Sequence, residues 1–106
     1  DDLLRSIPSV TIPIEKIGNK HVYHLYVIKI PKRDELKEYL EASGIQTVVN
    51  YPKALPFYKA YEYLEHLPQD FPLAYENQSK ILSLPIHPFI TGEEQEYVTK
   101  KIRDFY

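Results

Sequence analysis

HVYHLYVIKIPKRDELKEYLEASGIQTVVNY, residues 21–51, changes hydrophobic period twice, and those two changes set the fold class. Over 21–30 the pattern alternates in twos, with Val22, His24, Tyr26, Ile28 and Ile30 on one face and Tyr23, Leu25, Val27 and Lys29 on the other. Both faces are largely apolar. The spacing therefore predicts a central strand over 21–30, stopped by Pro31, which has no N–H to give to a ladder. Over 33–43 the period becomes helical: Leu36, Tyr39, Leu40 and Ser43 share one stripe, Lys37, Glu38 and Glu41 lie outside it, and Gly44 suits the left-handed turn that ends a helix. IQTVVNY, 45–51, returns to a β-branched run predicted as a strand and closed by Pro52.

The flanking segments extend this strand–helix–strand unit. IPSVTIPI, 7–14, is β-branched but carries Pro8 and Pro13, which suits an edge segment, and a polar turn around Gly18 and Asn19 follows. From 52 to 70 the chain is irregular, with Pro52, Pro56 and Pro68 framing a short helix over 58–64. PLAYENQSKIL, 72–82, is predicted helical, with Asp70 as cap and Ala74, Tyr75, Gln78, Ile81 and Leu82 on one face; SLPI, 83–86, is a short strand. The last helix has the clearest start, because Thr91 and Glu94 have capping-box spacing, and Val98, Ile102 and Phe105 give it an inward stripe. The predicted class is α+β: a small, mostly antiparallel sheet with helices packed on one side, a single domain over 1–106.

Composition narrows the function. A chain of 106 residues with 43% hydrophobic content suits one core. A net charge of -2 with no basic stripe argues against nucleic acid as partner. No apolar run is long enough to span a bilayer and the first residues lack a signal-peptide layout, so the expected location is cytoplasmic, with no membrane partner. Zero cysteines remove disulfides and thiol nucleophiles. There is no methionine, even at position 1, and the expectation is a piece of a longer protein.

Candidate chemistry is sparse. His21 and His24 are three apart, an odd offset that in a strand sends them to opposite faces, so no metal site is expected there; His24 is predicted half-buried. His66 reads as a surface residue, and His87, held extended before Pro88, is a candidate to reach a ligand. The carboxylates fall mostly on helix exteriors, and three glycines provide no phosphate loop. Ten tyrosines against no tryptophan is the unusual feature. Tyr51, Tyr58, Tyr61 and Tyr63 cluster in a proline-stiffened connection, where they serve either an interface or the core.

HVYHLYVIKI, RDELKEYLEASGIQTVVNYPKALP and FPLAYENQSKILSLPIHP with the terminal helix, taken in order over residues 21–106, resemble the C-terminal small domain of the DegT/DnrJ/StrS nucleotide-sugar aminotransferases. The resemblance implies the small domain of a fold-type I pyridoxal-phosphate enzyme, normally a homodimer, whose large N-terminal domain is absent here. The implied reaction transfers an amino group from an amino acid, usually glutamate, to a nucleotide-linked keto sugar. No lysine of this chain sits in the family's cofactor-lysine motif, so no catalytic or cofactor-binding residue is assigned and the piece alone is expected to be inactive. Where the family commonly has His-Tyr-Pro, this chain has Asn50-Tyr51-Pro52. Asparagine keeps a donor and an acceptor but cannot take a positive charge, so Asn50 and Tyr51 are the expected substrate-binding residues, through hydrogen bonds and a ring face. The competing expectation is a stand-alone α+β binding module with no chemistry of its own.

Overall fold

The computed structural model describes residues 1–106. Its ladder is built from β1, Tyr26–Lys29, and β2, Ile81–Leu84, which run antiparallel with Tyr26 opposite Leu84 and Lys29 opposite Ile81. Single antiparallel bridges extend it on both sides, Thr11 to Lys29 and Val48 to Ser83. The order across the sheet is thus the Thr11 segment, β1, β2, the Val48 segment. β1 is central, as its two-sided apolar pattern requires, and the proline-bearing 7–14 segment lies at the edge.

Four helices complete the chain: α1, Asp2–Arg5; α2, Arg33–Ala42; α3, Pro72–Asn77; and α4, Gly92–Phe105. α2 packs on α4 and on β2, and α1 packs on α4. The core lies between these helices and one sheet face, where Ile28, Ile30, Leu82 and Leu84 meet Leu36 and Leu40 of α2 and Val98 and Ile102 of α4. Leu4, Ile7 and Ile45 close its margins. Gly44, at φ 77°, ends α2 in the left-handed region where a side chain would be strained. At the start of α4, Thr91 Oγ1 accepts from the Glu94 N–H at 3.2 Å and the Glu94 carboxylate accepts from the Thr91 N–H at 2.8 Å. This is the expected capping box.

Several expectations are corrected. β1 begins at Tyr26, not at 21, because Tyr23 takes a left-handed conformation (φ 49°), donates its N–H to His21 Nδ1 at 2.8 Å and stacks between His21 and Tyr26. That local bond competes with the ladder. The alternation therefore breaks, and Val22 and His24 are exposed rather than inward. The 45–51 run is no full strand; only Val48 pairs. The 72–82 helix is cut to Pro72–Asn77 because Ile81 and Leu82 join the ladder, where Leu82 gains complete burial. Asp70 does not cap α3 but accepts from the Leu67 N–H at 2.7 Å. The 58–64 helix is a 3₁₀ turn, Lys59–Leu64, flanked by others at Leu55–Phe57 and Pro68–Asp70. α1 had no separate signal in a four-residue run.

Candidate functional site

Because Val48 pairs antiparallel with Ser83, the residues after it run back along β2 toward Ile81 and the end of α3. Asn50 and Tyr51 follow, joined by a cis peptide. Asn50 is half-buried and its carboxamide has no hydrogen-bond partner within the chain. Tyr51 is 73% exposed. An open groove of 300 Å³ takes in Tyr51, Lys53, Leu55 and Pro56 from one side and Asn77 and Gln78 from the other. Asn50 lies one residue outside that lining.

Two residues that the sequence did not single out hold this region in place. Gln78, just past α3, accepts the Ala54 N–H through Oε1 at 3.0 Å. Arg33, 7% exposed at the start of α2, donates to the carbonyls of Gln78 at 3.2 Å and Ile81 at 3.0 Å and to the Asp34 carboxylate at 2.6 Å. In the sequence Gln78 had only a helical-face assignment and Arg33 only a helix start. Their partners lie 24 to 48 residues away, with no local signal to announce them.

The tyrosine connection is a surface. Tyr58 and Tyr61 are each 37% exposed and Tyr63 76%, which overturns the core-filling alternative. Leu55, Leu64, Leu67, Phe71 and Leu73 are exposed along the same segment. Phe57 meets Tyr75 edge-on at 5.3 Å, and His66 meets Phe71 edge-on at 4.9 Å, so the 3₁₀ turns are braced by ring contacts.

The other candidates are weaker. His87 is exposed, accepts the Phe89 N–H at 3.3 Å, and borders a 710 Å³ open groove with Gln46, Thr91, Glu94 and Tyr97. The Glu94 carboxyl in that groove is held below the usual carboxylate range, first by the Thr91 backbone N–H and then by the Thr91 hydroxyl, which is its capping role. An apolar cavity of 190 Å³ opens between α1, the sheet and α4, lined by Leu3, Leu4, Tyr26, Leu84, Ile90 and Val98. Tyr26 donates its hydroxyl to Asp1 there, and burial, followed by the neighbouring Tyr23, pushes its phenol up. No group of three His, Asp or Glu side chains is placed to hold a metal ion. No helix is long and apolar enough to cross a membrane. A pyridoxal-phosphate anchor requires a lysine inside a cleft with an acidic partner for the ring nitrogen; the lysines here lie at the surface, Lys80 and Lys37 paired with Glu76 and Glu41 four residues away, and they do not fit that anchor.

The model of the DegT/DnrJ/EryC1/StrS aminotransferase family matches residues 1–103. A pleiotropic regulatory protein of Geobacillus stearothermophilus is 40% identical over 92% of this chain, which spans 26% of that protein. A dTDP-3-amino-3,6-dideoxy-alpha-D-galactopyranose transaminase of Aneurinibacillus thermoaerophilus is 32% identical over 92% of the chain and 26% of its own length. Among solved structures, a DegT DnrJ EryC1 StrS aminotransferase from Brucella abortus superposes with a TM-score of 0.87 at 34% identity, covering 98% of this chain and 27% of that one. The chain thus spans about a quarter of the length of the relatives it matches.

Proposed function

Since the chain belongs to the DegT/DnrJ/EryC1/StrS aminotransferase family, we propose that it is the C-terminal small domain of an aminotransferase that moves an amino group from an amino acid, glutamate in this reading, to a nucleotide-linked keto sugar. The transaminase relative supports the reaction class, and its sugar is a nucleotide-linked amino sugar. Pyridoxal phosphate is the cofactor in this proposal and supplies the electron sink for moving the amino group. The lysines of this chain do not fit its anchor, so the proposal assigns that anchor to the large N-terminal domain. The reading also carries a cytoplasmic homodimer.

What this chain contributes is one wall of the sugar site. The observation that carries the assignment is the solvent-accessible carboxamide of half-buried Asn50, without a partner in the chain and beside the exposed ring of Tyr51. The amide is accessible and free of internal partners, so it can offer both its donor and its acceptor to a sugar hydroxyl. Tyr51 offers the ring face against which a sugar or base packs.

The test is made on the full-length protein, running amino transfer from dTDP-3-amino-3,6-dideoxy-α-D-galactose to 2-oxoglutarate and measuring glutamate formed. Wild-type turnover is expected, and Asn50→Ala should raise the KM for the sugar about 3- to 10-fold at unchanged melting temperature, the worth of one or two neutral hydrogen bonds. No glutamate from this sugar or from a UDP-linked 3-amino sugar would sink the reaction class. An unchanged KM in the variant would remove Asn50 from the site.

A further inference from the structure

We infer that Gln78 is a positioning residue for the sugar-binding segment, holding residues 50–54 in place through its side-chain oxygen; the inference rests on the reading of Asn50 and Tyr51 given above. Between Val48, which is bridged to β2, and Phe57, which is inside a 3₁₀ turn, the chain makes one hydrogen bond to another element. That bond is Ala54 N–H to Gln78 Oε1, at 3.0 Å. The Ala54 carbonyl is taken locally, by the Phe57 N–H. Without Gln78, nothing polar ties the Asn50–Tyr51 backbone to the sheet on its downstream side.

Gln78 is itself well held. Its N–H donates to the Ala74 carbonyl at 3.2 Å, and its own carbonyl accepts from Arg33 at 3.2 Å. Arg33 also grips the Ile81 carbonyl at 3.0 Å, so the buried guanidinium fixes both ends of the 78–81 turn. A donor at Ala54 also sets which way the Gln78 amide points: the oxygen faces the loop. A rigid turn therefore transmits its position to a loop that has no ladder of its own, which is how a side chain bonded to the loop backbone controls the placement of Asn50 and Tyr51.

The test uses the full-length enzyme and the same dTDP-linked amino sugar. Gln78→Leu removes the acceptor at similar size, whereas Gln78→Glu keeps an oxygen at that place. Gln78→Leu should speed amide hydrogen exchange in the peptide covering 51–57 about 10-fold and raise the sugar KM about 5-fold, with kcat within about 2-fold, because a misplaced binding group weakens ground and transition states alike. Gln78→Glu should stay within about 2-fold of wild type in both measurements. If the leucine variant does not fold, Gln78→Ala makes the same comparison. Unchanged exchange in the acceptor-less variant overturns the inference, as does faster exchange with an unmoved KM while Asn50→Ala moves it. An unmoved KM in both variants places the failure in the site reading, and the inference falls with it.

Discussion

Arg33 is a cation with 7% of its surface exposed, and it survives there because its donors are taken by two main-chain carbonyls and by Asp34. A buried charge is tolerated when hydrogen-bonded, and removing it strands the acceptors it served. Arg33→Met should therefore cost about 2 kcal/mol, the range for hydrogen bonds to a charged group. Asp34→Asn should cost less than about 0.5 kcal/mol, because that carboxylate is 79% exposed and solvent screens it. Thermal melting of the full-length variants checks both, and equal midpoints for Arg33→Met and wild type would deny the guanidinium its structural role. Asn50 was legible as a candidate because its neighbours Tyr51 and Pro52 form a recognisable run. Arg33 was not, since an arginine opening a helix reads as surface until β2 is known to lie across it.

Helix α4 shows what local chemistry can specify. Thr91 and Glu94 hold each other's backbone N–H groups, and two of the four unpaired donors at the helix start are thereby satisfied. Thr91→Ala should cost about 1 kcal/mol. The Glu94 carboxyl is lowered by those bonds, so its folded pKa lies below its unfolded one. The contribution is thus complete above the unfolded carboxylate range and is lost as pH falls through the folded value. Amide protection at the first turn of α4 should decline as pH falls below the ordinary carboxylate range, and Glu94→Gln, which keeps the acceptor without a titrating proton, should flatten that decline. A wild-type first turn whose protection does not change on acidification would contradict the assignment. The same locality explains which elements were readable. α2 and α4 carry their stripe and end signals within one run of sequence, whereas Ile81 and Leu82 fit a helical face as well as a strand, and only pairing with Lys29 and Ile28 decides between them.

The whole chain is extended for its length. Its radius of gyration is 15.4 Å, against about 13 Å for a self-contained domain of this size, and 14 of 106 residues are buried. The difference lies in segments that project exposed apolar groups: Ile14, Ile17 and Val22 on one loop, and the rings and leucines of 51–75 on the other. Such a surface is what a domain presents to a larger body that covers it. Under the proposed function that body is the N-terminal domain or the partner subunit, and Tyr51 sits where the covered surface gives way to the sugar site. Hydroxyl-radical footprinting of the full-length protein separates these roles, with Tyr97, 47% exposed on α4, as internal reference. Tyr58, Tyr61 and Tyr63 should be modified several-fold more slowly than Tyr97, while Tyr51 should slow only when dTDP-3-amino-3,6-dideoxy-α-D-galactose is added. Modification of all four at the Tyr97 rate, with no response to the sugar, would show this surface to be open solvent and would remove both its docking role and the Tyr51 sugar contact.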